Sequence, residues 1–342
     1  MPDPLRIAYL MEDTDLSGGV RIQLAQADAL IARGHDITIY TRGLPLTWRS
    51  SAAQWAYVDD FTTVDASELD FVIGTFWTTV GAAWTIAGER ALHLCQGYEG
   101  AFSAYESMRP QIEETYRLPM PKLVVTPSLV PVCRTFVAEV VYIGQIVDDA
   151  FYRPSSLDRE PPRVLLAGAS QIDFKGIEIG YAAVAHARWQ GAPFELVRVS
   201  PWAPSSDEPV TELAAEFHVA LNANEMTKLV HSCDIFLGPS RRDEGFGLPA
   251  AEAMAAAIPT VLTRIPSFLS FDPAHDYALF ADEDDAEGLG DALLDLMADE
   301  DLRVRLRVRG RAVAEQFRAV NAARRIETYL YERRERLARA KT

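Results

Sequence analysis

Glu244 and Glu252 stand eight positions apart across Gly245-Phe246-Gly247-Leu248-Pro249, inside the run Pro239–Met254. Two carboxylates around a glycine-rich turn suit two chemistries: the acid and nucleophile of glycoside hydrolysis, or the holding of a nucleotide sugar. The neighbouring residues favour the second. Cys233–Gly238 reads as a short buried strand, and Pro249 fits the first position of a helix running through Met254 and Ala255. Gly245 and Gly247 let the backbone bend and let a ligand approach it, while the N–H groups that start the helix favour phosphate. The loop Gly245, Phe246, Gly247 and Leu248 is therefore expected to seat a diphosphate. Glu252, about one turn into the helix, is placed to accept hydrogen bonds from a ribose diol, and Glu244 faces the sugar. The plainer alternative is a glutamate that complements the helix dipole and a solvated loop charge.

Two further groups extend this chemistry. Ser17-Gly18-Gly19 lies between the first strand and the first helix, where backbone N–H groups can meet the donor or its phosphates; a tight turn needing glycine is the alternative. Lys175-Gly176 follows a strand of the second half after a short loop, and a lysine there can pair with a departing diphosphate as a point charge. The acidic triplets Asp13-Thr14-Asp15 and Asp282-Glu283-Asp284 are read as loop and helix-start acids rather than metal ligands, and no two of the six histidines are spaced i, i+4. No metal is expected.

The string from Pro239 to Met254 resembles the E-x7-E region of the retaining glycosyltransferases of family 4, and the resemblance extends from the Ser17-Gly18-Gly19 loop to Phe317. It implies the GT-B architecture: two Rossmann-like, doubly wound α/β domains with a cleft between them, the last helix crossing back onto the N-terminal domain. It further implies transfer of a sugar from a nucleoside-diphosphate sugar, the donor substrate, to a glycan, lipid-linked or small-molecule acceptor, with no cofactor. Lys175 matches the family's lysine, and Gly18-Gly19 its glycine pair. The chain departs from the family at Ser170, where an arginine is usual, and at Ala257, where a glycine is usual. A family histidine at a first-domain strand end is replaced by Gln96 or Gly97, which leaves His93, Gln96, Tyr98 and Glu99 as acceptor-side or sugar-side candidates. The stretch through Tyr116-Arg117-Leu118-Pro119 is similar to members that build bacterial cell-surface polysaccharides. Rival readings are an epimerase or a non-catalytic nucleotide-sugar-binding subunit of the same fold and, less favoured, a glycoside hydrolase.

The elements that must position these groups read as two strand–helix alternations. Leu5–Met11, Asp36–Tyr40, Phe71–Gly74, Ala91–Cys95, Leu123–Thr126 and Val140–Ile143 pattern as strands of a domain over residues 1–150, with helices at Val20–Arg33, Thr79–Ala87 and Ile112–Tyr116. A polar segment at Asp148–Arg163, with Pro154, Pro161 and Pro162, reads as an interdomain linker. A second domain over 151–318 then alternates strands at Val164–Ala167, Glu195–Val199, Ile235–Leu237 and Thr260–Leu262 with helices at Ile177–Trp189, Asn224–His231 and Pro249–Ala256. Residues 301–317 and 320–340 read as long helices, the terminal one over 319–342.

With 342 residues and 49% hydrophobic content, both domains can bury cores, and a net charge of −16 argues against nucleic acid as partner. Residues 301–342 nevertheless carry +8, leaving −24 on the rest. That basic end suits the solvated face of terminal helices or, secondarily, weak peripheral contact with an anionic membrane. Three cysteines without paired spacing, no signal-like leader and no long apolar run point to a cytoplasmic protein.

Overall fold

In the computed structural model, residues 3–15, 17–153 and 159–340 are described. Seven strands form the first sheet: β1 (Arg6–Met11), β2 (Asp36–Thr41), β3 (Gln54–Tyr57), β4 (Phe71–Gly74), β5 (Ala91–Cys95), β6 (Lys122–Val124) and β7 (Val140–Tyr142), in the order β3-β2-β1-β4-β5-β6-β7. The second sheet has β8 (Arg163–Ala167), β9 (Glu195–Ser200), β10 (Glu216–Val219), β11 (Ile235–Gly238), β12 (Thr260–Thr263) and β13 (Leu279–Ala281), in the order β10-β9-β8-β11-β12-β13. Every pairing is parallel. The central strands β4, β5, β11 and β12 are buried at every residue, as strands covered on both faces must be. The edge strands β3, β10 and β13 are not in the expected set: β3 and β10 mix polar with apolar residues, as in Gln54-Trp55-Ala56-Tyr57, and β13 is only three residues long.

The chain divides into two compact units, Met1–Ile146 with Ala319–Thr342, and Val147–Arg318. The first carries helices α1 (Gly18–Ile31), α2 (Trp77–Ala87), α3 (Arg109–Tyr116) and α4 (Leu129–Arg134). The second carries α5 (Ile177–Trp189), α6 (Val210–Leu213), α7 (Ala223–His231), α8 (Leu248–Ala255), α9 (Pro266–Leu269), α10 (Ala286–Ala298) and α11 (Glu300–Ala314). Asn222 caps α7 and Glu225 returns the bond, a full capping box. The terminal helix α12 (Ala319–Ala340) belongs to the first unit, where it packs on α1 and joins the same core through Ala323, Ile326 and Leu330. Glu327 meets Arg33 and His35, and Arg333 and Arg336 meet Glu139, so part of the basic surplus of this end is paired within the unit.

The segment read as a linker is partly core. Phe151 and Tyr152 are buried in the second unit, the Tyr152 hydroxyl donates to Ala314 O at 2.6 Å, and Val147 N donates to Phe317 O at 2.9 Å. The polar and proline residues that follow masked those two aromatics. Pro154 and Asp158 lie outside the described residues.

Ala257 explains one departure from the glycosyltransferase pattern. It follows the end of α8 with φ +57°, the left-handed conformation that glycine adopts freely and alanine does not. Its N–H bonds to Met254 O and that of Ile258 to Ala253 O, so the turn is fixed despite the side chain. Ala257→Gly is therefore expected to stabilise the protein by about 1 kcal/mol, since the relief of strain exceeds the added freedom of the unfolded chain. Urea denaturation of the two proteins measures this; an unchanged or lower midpoint contradicts it.

Candidate functional site

In the second unit, β8 and β11 are sheet neighbours although 71 positions separate Val164 from Ile235. The sheet grows outward in opposite directions from this pair, and in doubly wound sheets ligands bind outside the carboxyl ends of the strands at that switch. The loop after β8 carries Ser170 and Lys175, and the loop after β11 carries Glu244 to Leu248. The topology therefore brings the two loops together.

Lys175 Nζ donates to Glu244 Oε2 at 2.6 Å, and the Ser240 hydroxyl donates to the same oxygen at 3.1 Å. The pair is mostly shielded, with side-chain exposures of 20% for the lysine and 8% for the glutamate. Lys175 ends a short 3-10 turn, Asp173–Lys175, closed by Gly176 at φ +57°. A Cβ at Gly176 would lie 2.1 Å from Pro239 O, so only glycine lets the lysine's turn press against the loop after β11. Gly247 plays the same part at the start of α8: its φ is +84°, and a Cβ would lie 2.2 Å from the ring of Phe268. Leu248 and Pro249 open the helix, whose first turn presents N–H groups and the positive end of the helix dipole.

Other expected residues stand differently. Phe246 was expected to border the ligand, but its ring is 5% exposed and packs 4.9 Å from Phe271 and 5.1 Å from Phe317. Burying a large ring stabilises far more than exposing it in a loop, so Phe246 anchors the loop and offers a ligand only its backbone. Gly245 beside it is partly exposed, and Leu248 packs against the core formed by Phe246 and its neighbours. Glu252 lies in α8 and is only 3% exposed.

Ser170 is engaged elsewhere. Its hydroxyl donates to Glu208 Oε2 at 2.6 Å, while the other oxygen of Glu208 accepts from Tyr181 OH at 2.9 Å and from Arg198 at 2.9 and 2.7 Å. Arg198 is fully buried and also donates to the carbonyls of Leu166, Gly168 and Val199. Burial alone would push the Glu208 carboxyl up, but the hydrogen bonds from Ser170, Arg198 and Tyr181 outweigh it and hold it below the usual range. Arg198 and Glu208 carry no sequence signature, because neither lies in a motif. A charged residue inside the apolar strand Glu195–Val199 was the one available sign.

In the first unit, the corresponding switch lies between β1 and β4. Ser17 caps α1 by accepting Val20 N, which places Gly18 and Gly19 in the first turn, and Gln96 Nε2 donates to Gly19 O at 3.2 Å. Gln96 and the glycine pair are thus brought together. His93 and Glu99 are not surface groups. His93 sits inside β5 with no exposure and no hydrogen-bond partner on either ring nitrogen, and burial with the nearby Lys122 holds its pKa well below the ordinary value. Both expected sugar-side or acceptor-side candidates are thus buried in the first unit, His93 fully and Glu99 to 5% exposure. Tyr98 is half-buried, its hydroxyl 3.4 Å from Glu113 and its ring 5.3 Å from that of Tyr116.

Of the acidic triplets, Asp13 accepts from Asp15 N, and Asp284, Glu283 and Asp282 face Arg241, Arg242 and Arg264. Among the described residues no group of three His, Cys, Asp or Glu is arranged to hold a metal ion.

Residues 211–313, which include the loop after β11 and α8, match the family model of glycosyl transferases group 1. The whole chain is similar in structure to a glycosyltransferase from Rickettsia africae (TM-score 0.75, 16% identity, covering 97% of this chain and 99% of that one). It is equally similar to sucrose-phosphate synthase from Thermosynechococcus elongatus (TM-score 0.75, 16% identity, 99% and 100% covered). Anabaena HepE in complex with UDP-glucose follows at TM-score 0.71 and 15% identity, with 96% and 100% covered. The fold is that of the GT-B glycosyltransferases. No curated protein matches the sequence.

Glu99 provides a test of the first unit. Burial raises its carboxyl from 4.5 to about 7, against the lowering effect of Tyr116 and Lys122. The Tyr116 hydroxyl lies against both Glu99 Oε2 and Gly97 O, and its single proton serves one of them. With Glu99 protonated, the carboxyl donates to Tyr116 and Tyr116 donates to Gly97, and both contacts are made. Because the unfolded chain ionises first, this stabilisation is complete below about pH 4.5 and is lost as pH rises through about 7. Glu99→Gln lacks that slope, so its stability relative to the natural protein should improve by roughly 2–3 kcal/mol between pH 4.5 and 7.5 in urea titrations. Parallel pH profiles for the two proteins would show instead that Glu99 is ionised throughout.

Proposed function

We propose that this protein is a retaining glycosyltransferase that moves a sugar from a nucleoside-diphosphate donor to a glycan, lipid-linked or small-molecule acceptor. The observation that carries the reading is the Lys175–Glu244 pair at the strand switch, beside the start of α8. In such a transfer, negative charge grows on the departing diphosphate while positive charge grows on the sugar ring. Lys175 supplies a cation for the first, together with the N-terminal dipole of α8. Glu244 holds the donor sugar's hydroxyls and Glu252 the ribose. Retention requires the acceptor to enter on the face from which the diphosphate leaves, and the diphosphate's own oxygen takes the acceptor proton. The similarity to HepE, seen with UDP-glucose, agrees with a nucleotide-sugar donor. Work from inside the cell, on precursors of a surface polysaccharide, is the setting this reading favours, with weak peripheral contact at the inner membrane face allowed by the basic C-terminal helices.

A donor phosphate must displace Glu244 from Lys175 to gain the lysine's charge. The deciding experiment incubates the protein with UDP-, GDP-, TDP- and ADP-sugars and pooled glycan and lipid acceptors, and follows release of the nucleoside diphosphate. Lys175→Ala should lower turnover at least ~10-fold at saturating donor, the scale of one lost electrostatic contact to a developing charge. Glu244→Gln should have the opposite effect on the free diphosphate, binding it about threefold or more tightly because Lys175 is released from its carboxylate, while transfer falls. Weaker diphosphate binding by Glu244→Gln would mean that the pair is not opened by the donor.

One observation favours a second reading. Ser170 is tied to Glu208, which leaves Lys175 as the single lysine or arginine of the proposed clamp and suits a subunit that binds nucleotide sugars without turning them over. Diphosphate binding with no turnover in any acceptor pool would select it.

A further inference from the structure

Arg241 lies three residues before Glu244, and its contacts reach the turn that carries Lys175, the start of α5 and the loop after β13. Its guanidinium donates to Asp173 O at 2.8 Å and Asp173 Oδ1 at 2.9 Å, in the turn that carries Lys175. It donates to Glu178 Oε1 at 2.6 Å, in the first turn of α5, and to Asp284 Oδ1 at 2.8 Å, in the loop after β13. Its backbone joins the same parts: Arg241 N donates to Phe174 O at 2.8 Å, and Arg241 O accepts from Glu244 N at 2.9 Å. Asp284 is itself held at φ +64°, a left-handed conformation that is strained for a residue with a side chain.

Each of these ion pairs alone has an exposed acid, and exposed pairs stabilise little. Their convergence is different, because one planar group with fixed donor directions sets the relative position of three segments. The segments it joins are those whose separation decides whether Lys175 Nζ and Glu244 Oε2 meet at 2.6 Å. We infer that Arg241 is a positioning residue of the donor site, fixing Lys175 against Glu244 and so presenting the lysine to the donor's diphosphate. This rests on the nucleotide-sugar reading above. Arg241 does not touch the donor in this role; it acts through Lys175.

The chain has four lysines, and Lys175 and Lys228 are those of the second unit, so acetylation followed by mass spectrometry reads Lys175 against an internal control. In the full ligand-free chain, Arg241→Ala should raise the acetylation rate of Lys175 about tenfold and leave that of Lys228 unchanged, because the lysine is freed from its partner. Affinity for whichever of UDP, GDP, TDP and ADP the natural protein binds best should fall about tenfold, because the lysine is then out of place, whereas in Glu244→Gln it keeps its place and loses only its carboxylate partner. Arg241→Lys, which keeps the charge without the fork, should fall between the two proteins in both measurements. Unchanged Lys175 acetylation, an equal rise at Lys228, or undiminished diphosphate affinity in Arg241→Ala overturns the positioning role. A natural protein that binds none of the four diphosphates overturns instead the donor-site reading beneath it.

Discussion

The ion pair between Lys175 and Glu244 ties together the two loops at the strand switch of the second unit. Sixty-nine positions separate its members, and neither could hold the other without β8 and β11 lying side by side. That adjacency is the place where the sheet reverses its order of growth, so the loops after both strands open in one direction. Two glycines bring them close enough. Gly176 lets the lysine's turn meet Pro239, and Gly247 lets α8 begin against Phe268. A side chain at either would force the loops apart by more than a flexible neighbour can absorb, since the obstacles are a backbone carbonyl and a buried ring.

This dependence explains what could be read from the amino acids and what could not. The glycine-rich run from Glu244 to Glu252 names its own backbone requirements, and the buried central strands announce themselves by unbroken apolar residues such as Ile235-Phe236-Leu237. Edge strands do not, because β3 and β10 are half-exposed and mix polar with apolar residues. Within the site, side-chain direction was the hidden variable. Phe246 looks from its place in the loop like a ligand contact, yet the apolar space between Phe271 and Phe317 claims it. His93 and Glu99 follow the same logic around β5, where a polar residue inside the strand and another four positions beyond its end are both buried. Arg241 is not legible in the sequence because its acceptors lie far away in the chain, at Asp173, Glu178 and Asp284.

Charge is organised locally in the same manner. The basic surplus of residues 301–342 is substantially paired: Arg309 with Asp272 and Asp276, Arg318 with Asp149 and Glu315, Arg333 and Arg336 with Glu139. Individually exposed, such pairs add little stability, but they direct arginines to particular carboxylates instead of leaving a uniformly basic face. Stacking adds to this, as Arg318 lies 3.9 Å over the Tyr152 ring and Arg311 5.1 Å over it.

The cluster around Arg198 shows why the position of Ser170 is chemically distinct from an arginine-bearing one. A second arginine already lies close by, within one hydrogen-bonded chain of Ser170, but every one of its nitrogens has a partner and none is exposed. Swinging it outward would strip the buried Glu208 carboxylate of its ion-pair partner and remove a donor from the carbonyls of Leu166, Gly168 and Val199, a loss of several kcal/mol on the scale of breaking a buried ion pair. The serine hydroxyl is likewise committed to Glu208. Arg198 and Glu208 therefore act as a neutral, rigid support beneath the loop, and neither lends charge to a ligand. If the switch between β8 and β11 receives the diphosphate of the proposed donor, Lys175 and the start of α8 are left to meet its charge, and that places an unusual share of the binding on how well Lys175 is held.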